Sequence, residues 1–220
     1  ESVIYMKIAV ELTKNPKQKP SSDQLVFGKV FSDHMFICDY SPENGWHNAR
    51  IVPYQNLSID PSTMTIHYGQ SIFEGLKAYR TKDGNINLFR PVENIRRLNE
   101  SCKRLCIPVI DEEFGLTAIK KLVDIDRDWI PEGDGTSLYI RPFIFATEPH
   151  LGVRPSKTYS FVIITGPVGA YYREGINPVK IYVEPNYVRA VKGGLGEIKA
   201  SANYAASLKA QVEANEKGYT

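Results

Sequence analysis

Apolar residues recur along this chain with two periods, and each period predicts its own kind of element. From Pro91 onward, Ile95, Leu98, Cys102 and Leu105 return every three or four residues, the spacing that lines one face of an α-helix. Pro91 stands where a first helical turn tolerates proline. Asp111, a residue type that caps free amide N–H groups, predicts the start of a second helix with Leu116, Ile119, Leu122 and Val123 turned inward. Leu76–Tyr79 and Ile86–Phe89 flank Lys82-Asp83-Gly84-Asn85, and Asp-Gly between apolar runs predicts a β-hairpin. Ser137–Ala146, Tyr159–Thr165 and Val179–Val183 are rich in β-branched and aromatic residues and are expected as strands. Val30, Phe31, Met35, Phe36 and Ile37, between Phe27 and Asp39, predict paired strands around a Ser32-Asp33-His34 turn, after which Gly45 opens a loop. Strands before and after two helices give an α+β class.

The stretches between these elements suggest how the chain divides. Residues 1–24 are polar and lysine-rich with Pro16 and Pro20, the composition of a loosely held arm. Gly166-Pro167-Val168-Gly169-Ala170, running on to Gly175 and Pro178, concentrates glycine and proline as an interdomain connection does. The expected organisation is an arm (1–24), a small α+β domain (25–168), a connecting loop (169–178) and the start of a second domain (179–220). That last piece is below the size at which domains usually fold unaided. Good helix formers from Asn203 to Glu216, stopped at Gly218, predict one more helix.

Composition narrows the function classes. The 220 residues are 42% hydrophobic and 24% charged with a formal charge of +2 and no long basic run, so nothing favours a nucleic-acid partner and small-molecule chemistry is expected. No apolar stretch approaches the roughly 18 to 20 residues that span a bilayer and no signal-peptide pattern opens the chain, which predicts a cytoplasmic protein without a membrane partner. Cys38, Cys102 and Cys106 lack metal-ligand spacing, and the last two, one helical turn apart, read as a buried helix face. His34, His47, His67 and His150 form no ligand pair, so no metal site is assigned.

Chemistry concentrates in Gly193-Gly194-Leu195-Gly196-Glu197-Ile198-Lys199-Ala200-Ser201-Ala202-Asn203-Tyr204, which isolates one lysine among small residues near a predicted helix start. A solvated lysine amine has a pKa near ~10.4, so only roughly one in a few thousand is a free nucleophile at neutral pH, and a reactive one needs activation. Desolvation and neighbouring cations lower that pKa, and imine formation with an aldehyde cofactor consumes the amine outright. Small neighbours leave room for such an aldehyde, and Tyr204 can bring a phenol beside it. A cation for a phosphate-bearing aldehyde is available at Arg97. The strand period puts Tyr139 and Arg141 on one face, fit to orient a carboxylate, while Tyr68 and Phe73 are candidates for an apolar pocket.

Taken together, Phe73-Glu74-Gly75-Leu76-Lys77-Ala78-Tyr79, Arg97, Tyr139-Ile140-Arg141-Pro142, Glu148-Pro149-His150-Leu151-Gly152-Val153 and Lys199 through Tyr204 resemble the branched-chain aminotransferases in order and approximate spacing. The resemblance implies fold type IV, with an N-terminal α/β domain followed by the beginning of a pseudo-barrel domain. It implies pyridoxal 5′-phosphate as cofactor and amino-group transfer between leucine, isoleucine or valine and 2-oxoglutarate, with 2-oxo acids and glutamate as the partner substrates. A homodimer and a setting in branched-chain amino-acid synthesis are implied as well. Lys199 would be the catalytic Schiff-base lysine, Arg97 the phosphate ligand and Tyr204 the contact to the cofactor's phenolic oxygen. Phe27, Tyr68 and Phe73 would line the side-chain pocket, Tyr139 and Arg141 would border the substrate site, and Tyr171 lies in the stretch resembling a mobile interdomain loop. Tyr68 and Arg141 would supply the polar edge that admits glutamate. Ser201-Ala202 replaces the Gly-Gly of many relatives, a small-for-small exchange. The family's acidic partner for the pyridinium nitrogen has no counterpart in these residues, so the 220 residues alone are expected to be inactive. A D-amino acid aminotransferase or an aminodeoxychorismate lyase would share the lysine, and a non-catalytic dimerisation or scaffold unit would retain the same residues idle.

Overall fold

A computed structural model of the chain describes residues 6–21, 24–169 and 178–219. The first half runs β1 (Ala9–Val10), β2 (His34–Ser41), β3 (Gly45–Pro53), α1 (Met64–Tyr68), β4 (Ser71–Phe73), β5 (Leu76–Arg80) and β6 (Ile86–Leu88). It continues with α2 (Pro91–Arg104), α3 (Glu112–Ile125), β7 (Ser137–Ala146), β8 (Tyr159–Val168), α4 (Ser201–Ala205) and α5 (Leu208–Glu216). The strands form one sheet in the order β1-β3-β2-β8-β7-β5-β6, with β4 beside β7, and every pairing is antiparallel except β1 with β3.

β7 explains why one face of this sheet is core and the other is a site. Its side chains alternate. Leu138, Ile140 and Ile144 are fully buried in the main core, which also holds Ile95, Leu98 and Cys102 of α2 and Ile119 and Leu122 of α3. Tyr139, Arg141, Phe143 and Phe145 take the opposite face and line a large cavity. β2 alternates in the same way, sending Phe36 and Cys38 into the main core and Met35 and Ile37 into a smaller cluster with Phe145 and Val162.

The first two predicted helices form where expected. Pro91 opens α2, and the Asp111 carboxylate accepts the Phe114 N–H at 2.7 Å to cap α3. The hairpin of β5 and β6 also forms, with Gly84 at φ +77°. Elsewhere the structure corrects the sequence. The hairpin expected around Ser32-Asp33-His34 lies instead between β2 and β3, where Ser41 pairs with Gly45. Asp33 is unavailable for a tight turn because its carboxylate takes the Trp129 indole N–H at 2.9 Å and the Lys17 backbone N–H at 2.9 Å. Gly45, at φ +62°, starts a strand and does not open a loop. Val179–Val183 forms no strand, since no strand among the described residues lies alongside to pair with it, and Ile181 and Val183 stay exposed. The helix expected over Asn203–Glu216 is two helices, α4 and α5, broken at Ala206-Ser207. α2 stops at Arg104, so Cys106 sits exposed beyond it at φ +57° while Cys102 is buried on the helix face. The arm is also better held than its composition suggests: β1 pairs with β3, Thr13 bonds His34 of β2, and Lys17 bonds Ser32 just before that strand.

Candidate active site

Lys199 is held by its backbone, and its amine reaches into a cavity. Its N–H donates to Ser101 Oγ of α2 at 3.1 Å, and its carbonyl accepts the Phe73 N–H of β4 at 3.0 Å. Ala200 bridges to Ile72, and the Ser71 and Ser201 hydroxyls meet at 2.7 Å, so β4 and the start of α4 are stitched across the lysine. The glycine-rich turn before it is pinned by Asn203, 5% exposed, whose Nδ2 donates to the carbonyls of Leu195 and Ile198 at 2.7 Å each. A main chain with both polar groups satisfied has no reason to shift when its side chain reacts.

The amine enters a cavity of about 1090 Å³. Lys199 Nζ lies 3.1 Å from the Tyr204 hydroxyl and 4.8 Å from the centre of the Phe73 ring. The Arg141 guanidinium lies 4.4 Å from the centre of that ring and donates to the Tyr139 hydroxyl at 3.0 Å. Phe27 meets Tyr139 edge-on at 5.0 Å. Phe143, Phe145 and Ile164 supply apolar wall, and Ser71 and Ser201 supply hydroxyls beside the lysine. The cavity therefore combines an amine, a phenol and a guanidinium with aromatic and aliphatic walls, the composition of a small-molecule site that binds a partly apolar anion.

Arg97 stands outside that wall, in a fork with Glu74: Nε donates to Oε1 at 2.6 Å and Nη2 to Oε2 at 2.9 Å. Its pKa is raised, first by the hydrogen bond to Glu74, with burial opposing and the Tyr204 phenol adding a further contribution. Ser101, which donates to the Arg97 carbonyl and accepts the Lys199 N–H, ties the Arg97 backbone to the lysine. Cys38 and Cys102 are both pushed up to about 12 by burial, which keeps them protonated and unreactive.

The structure thus brings together Lys199, Tyr204, Phe27, Phe73, Tyr139 and Arg141 in one cavity. Tyr68 ends α1, is 41% exposed and is not among the residues that line this cavity of the single chain. Tyr171 lies outside the described residues. Sequence reasoning missed Ser71, Ser101 and Glu74. Serines at helix and strand positions carry no signal of their own, but Glu74 did carry one, as a lone carboxylate inside Ile72-Phe73-Glu74-Gly75-Leu76.

No protein-family model matches the chain. Among curated proteins it is 61% identical over 213 residues to the branched-chain-amino-acid aminotransferase 2 of Bacillus subtilis, covering 97% of this chain and 59% of that protein. It is 55% identical over 210 residues to the branched-chain-amino-acid transaminase 1 of the same organism, covering 95% of this chain and 59% of the relative. Its fold matches that of a solved branched-chain amino acid aminotransferase from T.th., determined with pyridoxamine 5′-phosphate, with a TM-score of 0.69 and 26% identity over 87% of this chain and 58% of the other. The chain spans about three-fifths of the length of these relatives. With more than half of its aligned residues identical to the two curated relatives and the fold-type-IV architecture in common with the solved one, the chain is similar over nearly its whole length to part of the branched-chain aminotransferases.

Proposed function

We propose that the chain serves pyridoxal 5′-phosphate-dependent transfer of the amino group between branched-chain L-amino acids and 2-oxoglutarate, as part of a homodimer in the cytoplasm. The observation that carries this reading is the Lys199 amine, 3.1 Å from the Tyr204 phenol at an aromatic-walled cavity, in a chain so similar to named branched-chain aminotransferases. The residues suit the cofactor: an amine for its aldehyde, small neighbours at Ala200 and Ser201, a phenol, and the Arg97 guanidinium on a backbone that Ser101 ties to the lysine. When bound, the cofactor supplies the electron sink for bond cleavage at the substrate α-carbon.

The chain's own residues have distinct tasks in this reading. Lys199 Nζ would move a proton between the substrate α-carbon and the carbon that carries the cofactor's aldehyde, and Tyr204 Oη holds the amine in place through their hydrogen bond. Arg97 holds the phosphate. Phe27 and Phe73 shield the site from water and contact the branched side chain. Such a surface discriminates by only about 1 to 3 kcal/mol per methylene, so leucine, isoleucine and valine are all accepted. Arg141, fixed by Tyr139, offers donors to a carboxylate and so admits glutamate.

Borohydride reduction of the purified protein mixed with pyridoxal 5′-phosphate, followed by peptide mapping, tests this directly. One phosphopyridoxyl group on the Lys199 peptide is expected, and, in a polypeptide of the relatives' full length, amino transfer from L-leucine and none from D-alanine. A label scattered over other lysines overturns the site. Turnover of D-alanine without leucine turns the reading into a D-amino acid aminotransferase.

A further inference from the structure

Glu74 is a glutamate with a side chain 0% exposed, paired with an arginine that is 52% exposed. Its two oxygens are fully engaged. Oε1 takes Arg97 Nε, while Oε2 takes Arg97 Nη2 at 2.9 Å, Asn94 Nδ2 at 2.9 Å and the Gly75 N–H at 3.1 Å. An ion pair this unequal in exposure does more than satisfy a buried charge, because it holds one edge of a planar guanidinium still and leaves the Nη1 donors outside the fork. The backbone around it shows what Arg97 is held against. Ser101, one turn further along α2, donates to the Arg97 carbonyl at 3.0 Å and accepts the Lys199 N–H at 3.1 Å. Phe73, the residue before Glu74, donates to the Lys199 carbonyl at 3.0 Å. Lys199, Ser101, Arg97, Glu74 and Phe73 therefore close a ring of hydrogen bonds and chain, in which the Glu74–Arg97 fork is the only side-chain ion pair.

We propose that Glu74 is a positioning residue, which through this ring sets the Arg97 guanidinium at a fixed place relative to the Lys199 amine so that one ligand can present a phosphate to the first and an aldehyde to the second. The inference rests on the proposed function and adds to it the residue that aims the phosphate site. Pro142, opposite Glu74 on β7, accounts for why a glutamate can take this role inside a sheet. β4 and β5 run along β7 in the same register on either side of Glu74-Gly75, and the Glu74 N–H donates to the Pro142 carbonyl at 2.7 Å. Proline has no N–H to return, so the strand breaks there and the glutamate departs toward α2.

The test compares the dissociation constants of pyridoxal 5′-phosphate and pyridoxal, titrated spectroscopically into the purified protein and its variants. The dissociation constant of pyridoxal divided by that of pyridoxal 5′-phosphate reads the phosphate alone. In Glu74→Gln an NH₂ replaces one acceptor and faces other donors, and we expect the ratio to fall about tenfold or more while pyridoxal itself binds within about twofold of the unaltered protein. Equal losses for both ligands would mean a merely structural role and overturn the proposal. Asn94→Ala, which removes one donor from the same carboxylate on a half-buried position, is expected to lower the ratio two- to fourfold even if Glu74→Gln does not fold. An unchanged ratio in Asn94→Ala together with an unfolded Glu74→Gln also overturns it. Arg97→Ala separates the two levels. If it leaves the ratio intact, Arg97 is not the phosphate ligand and that part of the proposed function fails; if it abolishes the ratio while Glu74→Gln does not, only the role of Glu74 fails.

Discussion

Tyr139 can stand where it does because residue 75 has no side chain. A Cβ on Gly75 would collide with the Tyr139 hydroxyl, and that hydroxyl is the acceptor that steadies Arg141. Gly75→Ala is therefore expected to cost ~1–3 kcal/mol by overpacking, and Tyr139→Phe, which removes the colliding atom, should restore much of the loss in the double variant. Additive losses in a denaturant series would show that the two residues do not compete for space. At this scale the sequence was informative wherever chemistry is local. Lys199 and Tyr204, five residues apart, meet across 3.1 Å, and Tyr139 and Arg141, two apart on one strand, share a hydrogen bond. It was uninformative where the partner is remote, and Glu74 finds Arg97 twenty-three positions away.

At the scale of elements, the connection from β7 to β8 is organised by one carboxylate. Glu148 takes both Arg154 nitrogens, at 2.7 and 3.0 Å, and the Lys157 N–H at 2.7 Å, while its own carbonyl accepts the Met64 N–H that begins α1. The Arg154 hydrogen bonds, helped by the Lys157 N–H and opposed by burial, bring its carboxyl down from the ordinary 4.5 to about 2. The folded protein thus binds this proton less readily than the unfolded chain. The stabilisation is complete above about pH 4.5 and is lost as pH falls toward about 2. Glu148→Gln is expected to lower Tm by a few degrees at neutral pH, in line with ~1–3 kcal/mol for bonds to a charged group. Its Tm should then fall less steeply than that of the unaltered protein in thermal scans between pH 4.5 and 2.5; parallel curves would assign the acid sensitivity to other groups. The helices, the β5–β6 hairpin and the long strands were legible as elements because their signals are a turn or a strand long.

Across the whole molecule, a buried polar cluster ties the N-terminal segment to the sheet and to the end of α3. His34 Nε2 accepts the Thr13 N–H at 2.9 Å, which leaves the ring hydrogen on Nδ1, donated to Asp126 Oδ1 at 2.6 Å. Asp126 Oδ2 takes the His34 N–H at 3.0 Å. Lys17 Nζ donates to the carbonyls of Phe31 and Ser32 and lies 4.8 Å from the centre of the Tyr54 ring, and burial moves its pKa down against the pull of Asp33 and Asp126. His34→Phe leaves buried Asp126 and the half-buried Thr13 N–H each short of a partner, and a loss of ~1–3 kcal/mol is expected. Hydrogen exchange at the Thr13 amide should accelerate beyond what the global loss explains. An unchanged Thr13 rate would show that the segment is held by β1 alone.

The sequence by itself determined α2, α3, β7, β8, the β5–β6 hairpin and the isolated lysine beside a phenol, because helical periodicity, capping, Asp-Gly turns and alternation all act over a few residues. Tertiary structure alone decided which runs become neighbours. It moved the first hairpin to Ser41–Gly45 because Asp33 is claimed by Trp129 and Lys17. It left Val179–Val183 without a strand because among the described residues nothing pairs with it, and it fixed an arm whose composition reads as loose. It also put the Glu74 carboxylate behind Arg97. Each of these depends on where distant backbone and side-chain groups find their hydrogen-bond partners, and a partner dozens of residues away leaves no periodic trace in the chain.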